Sequence, residues 1–101
     1  MTTSNEKAEQ ILKHSLDAIL NERGSRYGKF KDHAQLAQTL KDVMKSGQSW
    51  PVLQPDMREA LEMIQHKVAR VLNGDPTYAD SWTDIAGYAQ LVADRLQGNA
   101  R

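Results

Sequence analysis

Apolar positions recur at helical spacing in four stretches of this chain, and polar or Gly- and Pro-bearing segments separate them. From Glu6 to about Asn21, Ala8, Ile11, Leu12, Leu16, Ile19 and Leu20 predict an amphipathic helix with one face buried. Ser4 and Asn5 are its candidate caps, and Met1 to Asn5 reads as a frayed polar end. A second helix is expected from Lys31 to about Lys45, with His33, Leu36, Ala37, Leu40, Val43 and Met44 as its stripe. A third runs from about Asp56 to Leu72 and presents Met57, Ala60, Leu61, Ile64, Val68, Val71 and Leu72 on one side. The fourth carries Trp82, Ile85, Ala86, Ala89, Val92, Ala93 and Leu96. It can begin at Asp75-Pro76 or with Asp80 as its cap.

The connections are equally marked. Asn21 to Phe30 (NERGSRYGKF) reads as a loop, with Gly24 suited to a helix C-cap and Gly28 to a positive φ. Ser46 to Pro55 (SGQSWPVLQP) has two prolines and no period. Its Trp50, Val52 and Leu53 are apolar enough to fold back on the core or to enter an interface. These elements predict one all-α domain over residues 1–101, a four-helix antiparallel bundle-like fold with polar tails at about 1–5 and 98–101.

Composition narrows the class. The chain has 101 residues, 40% of them apolar, with 13 basic and 13 acidic side chains and no cysteine. The balanced charge argues against a general nucleic-acid or anionic-membrane binder but leaves room for a local basic site. Without cysteine there are no disulfides, thiolate nucleophiles or Cys-based zinc sites. No apolar run reaches the length of a membrane span, and the N-terminus lacks the pattern of a signal peptide, so a cytoplasmic protein is expected. A domain this small gains from oligomerisation.

The candidate chemistry lies on the last two helices. Glu59 and Glu62 at i, i+3, with His66 and Arg70, occupy the side of the third helix opposite its apolar stripe, within about 40° of that direction. Asp80 and Asp84 at i, i+4 form a line with Gly87, Leu91 and Arg95 on the fourth. A hairpin that brought the pairs together would make a Mg²⁺ site of Glu59, Glu62, Asp80 and Asp84, since Mg²⁺ takes oxygen ligands completed by water and phosphate. Each acid also has a simpler role. Asp56-x-x-Glu59 is a capping-box pattern, Glu62 is one turn from His66, and Asp80 or Asp84 suits a helix N-terminus. Glu62 with His66 has no third ligand at transition-metal spacing. Arg23, Arg26, Tyr27 and Lys29 in the Gly-punctuated loop, and Lys67 and Arg70 beside the acidic face, are candidate phosphate and base contacts. There is no GxxxxGK[ST], GxGxxG or HExxH.

Glu59-x-x-Glu62 followed by an acidic pair on the next helix resembles the all-α nucleoside triphosphate pyrophosphohydrolases, the superfamily of MazG and the dimeric dUTPases, whose signature is ExxE and then ExxD. The order RYG, EALEMIQHKVARVLNGD, YADSWTDIAGYAQLV is also similar to small helical phage and prophage proteins, over about Arg23 to Leu96. The resemblance implies a MazG-like homodimer or higher oligomer that holds Mg²⁺ and splits a nucleotide to monophosphate and pyrophosphate. Glu62 and Asp84 would be catalytic; Glu59, Glu62, Asp80 and Asp84 would bind the metal; Arg26, Tyr27, Lys67 and Arg70 would bind substrate. Ser81 stands where the second motif has its first acid, with Asp80 one residue earlier as the substitute. The alternative expectation is a non-enzymatic helical adaptor that binds a host or phage protein, with the Trp50 loop and the Leu91 line as partner surface.

Overall fold

A computed structural model describes residues 3–101. Four helices make up the described residues, with no strand among them: α1 Ser4–Tyr27, α2 Phe30–Lys45, α3 Pro55–Asn73 and α4 Ala79–Leu96. One 3₁₀ turn, Trp50–Val52, interrupts the connection between α2 and α3. The fold is the all-α, bundle-like domain that the periodicity predicts. None of these helices is long and apolar enough to cross a membrane.

α3 is the central element. It packs along α4 on one side and α2 on the other, while α1 touches only the ends of α2 and α3. That sandwiching changes which faces are inside. Gln65 at the edge of the predicted apolar stripe and Ala69 beyond it are buried, whereas Leu61 and Leu72 within the stripe are exposed. α4 is likewise rotated from the expected face. Ser81 is buried and Trp82 is 56% exposed. The chain therefore has a thin core: Ala37, Ala60 and Ala69 are the buried apolar residues, and no large side chain is fully buried, among the described residues.

The first helix departs most from expectation. Its predicted buried face is not buried, and every residue from Thr3 to Ser25 is exposed. The molecule is correspondingly long, 62 × 29 × 27 Å. Thr3, and not Ser4 or Asn5, caps α1 through a capping box with Glu6. Met1 and Thr2 of the expected frayed end lie outside the described residues. α1 also runs on through most of the expected loop. Gly24 does not end it; the Ser25 hydroxyl bonds back to the Glu22 carbonyl at 2.7 Å, and the helix continues to Tyr27. The break falls at Gly28, where φ is 78°.

Two other boundaries moved for identifiable reasons. Gln54 takes the N-cap position of α3 with Pro55 in the first turn, so the Asp56-x-x-Glu59 capping box does not form. Asp56 is taken instead by Arg95, which forms a two-pronged ion pair with it and also donates to Gln54 Oε1 at 2.6 Å. This ties the first turn of α3 to the last turn of α4, each charge at its favourable helix end. α4 starts late, at Ala79, because Asp75 closes a turn of its own on the Thr77 backbone N–H (2.9 Å) and hydroxyl (2.6 Å). Of the apolar loop residues, Trp50 is half-buried under Arg58, whereas Val52 is 78% exposed.

One junction joins α1, α2 and α3. The Asn73 side-chain amide donates to the carbonyls of Tyr27 (2.9 Å) and Lys29 (3.0 Å), spanning the α1–α2 break. The Asp75 N–H donates to the Arg26 carbonyl at 2.6 Å. Backbones meet here: a Cβ on Gly28 would collide with Asn73, and one on Gly74 with Arg26 and Tyr27. Asn73→Ala should cost about 1–3 kcal/mol, because two backbone acceptors lose their donor. Gly74→Ala should cost at least as much, because backbone must move. Thermal unfolding measures both, with Gly87→Ala as the control that should not destabilise, since Gly87 has open space in mid-helix.

Candidate functional site

The expected carboxylate centre is not assembled. Among the described residues there is no group of three or more His, Asp or Glu side chains placed to hold a metal ion. Asp80 accepts from the Tyr78 hydroxyl at 2.9 Å. Asp84 pairs with Lys67 at 3.1 Å, an ion pair that bridges α4 and α3. Glu59 is exposed beside Ala60, Tyr88 and Arg95 in a shallow groove, and Glu62 is half-buried farther along α3. Ser81 is only 4% exposed. A carboxylate there would be a buried charge needing a partner, and serine avoids that cost.

Of the expected substrate contacts, Tyr27 and Arg70 come together, Arg26 reaches them only through Tyr78, and Lys67 does not join them. Arg26 lies 4.2 Å over the Tyr78 ring and pairs with Glu22 at 3.4 Å. Lys67 is held by Asp84. Arg70 lies 4.1 Å over the Tyr27 ring, and the Tyr27 and Tyr78 rings are 6.0 Å apart. The sequence Arg26, Tyr78, Tyr27, Arg70 thus forms a cation–aromatic stack that crosses the end of α1.

On the Arg70 side of this stack is a pocket of about 540 Å³, between the end of α1, the start of α2 and the C-terminal half of α3. Arg23, Lys29 and Arg70 supply its charge, and no carboxylate lines it. Tyr27, Phe30, His33 and His66 supply aromatic wall. Phe30 is 79% exposed, an unusual surface for a phenyl ring. The α1–α2 break makes the pocket: Gly28 turns the chain so that Lys29 and Phe30 stand beside the last turn of α1.

The two histidines form its floor. His33 Nε2 and His66 Nδ1 are 3.4 Å apart with the rings edge to face. His33 is 5% exposed, and its Nδ1 has no partner. If His33 Nε2 donates, that Nδ1 is a bare acceptor, less costly to bury than an unmet N–H. Burial, and then the Arg70 charge, lowers the pKa of His33. Burial also lowers that of His66, to about 4, with Arg70, His33, Lys67 and Lys41 adding to the effect. Both rings are therefore neutral at pH 7.

Sequence reasoning had Arg23, Tyr27, Lys29 and Arg70 as candidates but missed Phe30, His33 and His66 as one site. The available signal was His66 and Arg70 at i, i+4 on the polar side of α3. What it lacked was α2 lying on that side. A pH dependence follows. A histidine held neutral in the fold and basic when unfolded loses stability as pH falls from its unfolded pKa, about 6.5, through its folded value, about 4. Asp56 and Asp75, whose pKa values are lowered, act below that window. Stability measured by urea unfolding should fall from pH 6.5 to 4, and His66→Asn should flatten the fall.

Comparison with known proteins adds a family and no function. No curated protein and no solved structure matches the chain. The model of a domain of unknown function, DUF6378, matches residues 10–96, which is most of the chain, and the protein belongs to that family.

Proposed function

We propose that this protein binds a phosphorylated nucleotide in the pocket between α1, α2 and α3. The observation that carries the reading is charge segregation. The chain as a whole is balanced at 13 basic and 13 acidic residues, yet this pocket has three cations and no carboxylate. A pocket of this size accommodates a small ligand. Lys29 and Arg70 are the phosphate contacts, Arg70 by its two-pronged guanidinium. The exposed Phe30 ring offers a face on which a base can stack. His33 and His66, being neutral, offer hydrogen bonds without adding charge.

The resemblance to the all-α nucleoside triphosphate pyrophosphohydrolases supports a nucleotide as the ligand class. The reading stops at binding. Glu59, Glu62, Asp80 and Asp84 do not line this pocket, Asp84 is already paired with Lys67, and no hydrolytic step is assigned to them.

Titration calorimetry with inorganic pyrophosphate, AMP and CTP tests the proposal. At least one should bind, more weakly as salt rises. Arg70→Ala should weaken binding at least tenfold, the loss expected for a charge-assisted contact of about 1.5–3 kcal/mol. Arg26→Ala, outside the pocket, should change it less than threefold. Absence of binding by all three ligands, or full affinity in the Arg70 variant, would refute the reading.

A further inference from the structure

α1 carries an apolar stripe that nothing in the protomer covers. Leu12, Leu16, Ile19 and Leu20 lie within about 60° of one direction on the helix. Each is between 48% and 70% exposed. Single exposed leucines are ordinary, but a contiguous stripe of four marks an interaction surface. α1 also needs support. Apart from its last turn, which the Asn73 corner holds, this 24-residue helix has no buried residue, and helices in proteins owe most of their stability to packing of an amphipathic face.

Charge along the stripe identifies what covers it. Positions 9, 12, 16, 19 and 23 alternate steps of three and four, the spacing of a helix–helix seam. Its centre is apolar, at Leu12, Leu16 and Ile19, and its ends are charged. Glu9 stands at the N-terminal end and Arg23 at the C-terminal end, with Glu6 and Arg26 one turn farther out. A parallel copy would set Glu9 against Glu9 and Arg23 against Arg23. An antiparallel copy centred on Leu16 sets Glu9 against Arg23 at both ends, with Leu16 against Leu16 and Leu12 against Leu20 between them. The seam is thus self-complementary under a two-fold axis, the requirement for a closed dimer.

We infer that α1 is the dimerisation arm of this protein, and that its partner is a second copy of the same helix, antiparallel, with the two-fold axis at Leu16. The thin core of the protomer agrees with this. Its buried apolar residues are three alanines, so much of the chain's large apolar surface remains to be covered. Leu20 and Arg23 also border the cationic pocket, which places the second copy's α1 at the pocket's rim. The inference stands on α1 alone and holds whether or not that pocket binds a nucleotide.

Sedimentation equilibrium and thiol cross-linking test it. The wild-type chain should sediment at twice its 11.4 kDa. Leu16→Glu should sediment as a monomer. Because Leu16 is exposed in the protomer, circular dichroism of this variant should still report the folded α2–α4 unit. Glu9→Arg and Arg23→Glu should each weaken the dimer roughly three- to tenfold, and the double variant should recover it. The absence of native cysteine makes orientation readable. With a short bismaleimide, Leu16→Cys should cross-link efficiently. Glu9→Cys should not, because the two positions lie about 20–25 Å apart in an antiparallel pair. A monomeric wild type, a dimer indifferent to Leu16→Glu, or equal cross-linking at both positions would overturn the inference.

Discussion

The backbone contact between Gly28 and the Asn73-Gly74 corner is the constraint on which the rest of the structure depends. It brings the end of α3 against the one break between α1 and α2. Two glycines are needed because neither backbone leaves room for a Cβ, and Gly28 also needs its positive φ. Asn73 is needed because the break frees carbonyls that no helix bond can satisfy. Three consequences follow from this one junction. α2 is directed along α3, α1 is directed away from both, and Lys29 and Phe30 are placed opposite Arg70 and His66.

The same junction explains why polarity is distributed unusually. α3 is packed on two sides, so its polar side cannot all face water. His66 is drawn in against His33, and Gln65 is buried. The His pair remains neutral because burial and the Arg70 charge both oppose protonation. The α3–α4 side is held differently, by ion pairs at its surface. Lys67–Asp84 and Asp56–Arg95 join the two helices there and employ acids that the sequence offered as metal ligands or caps. Carboxylates engaged in this way are structural, and the unengaged cations gather elsewhere, at the α1–α2 break.

The helices themselves were legible in the sequence because period 3.6 is a local property. α2, α3 and α4 begin and end within a few residues of the expected positions. The burial of α1 was not legible. Periodicity reports that a face is apolar, and it does not report whether the chain folds back far enough to cover it. Gly24 misled in the same way. A glycine permits a C-cap without requiring one, and the end of α1 was decided by where Asn73 could reach, forty-five residues beyond Gly28 in the chain.

The sequence by itself determined an all-α chain with four amphipathic segments, balanced charge, and cations concentrated around Gly24 and Gly28. It determined the acidic spacings too, since Glu59 to Glu62 and Asp80 to Asp84 are facts of helical geometry. Only the tertiary structure decided what those residues do. α4 is rotated so that Ser81 is buried, Asp84 pairs with Lys67 and Asp80 with the Tyr78 hydroxyl, and the four carboxylates are left unassembled. Packing of α2 against the polar side of α3 joined Tyr27, Phe30, His33, His66 and Arg70 into one pocket. The reason is physical: spacing places side chains on a helix, but charges and aromatic rings from different helices become one site only through the packing angle between those helices.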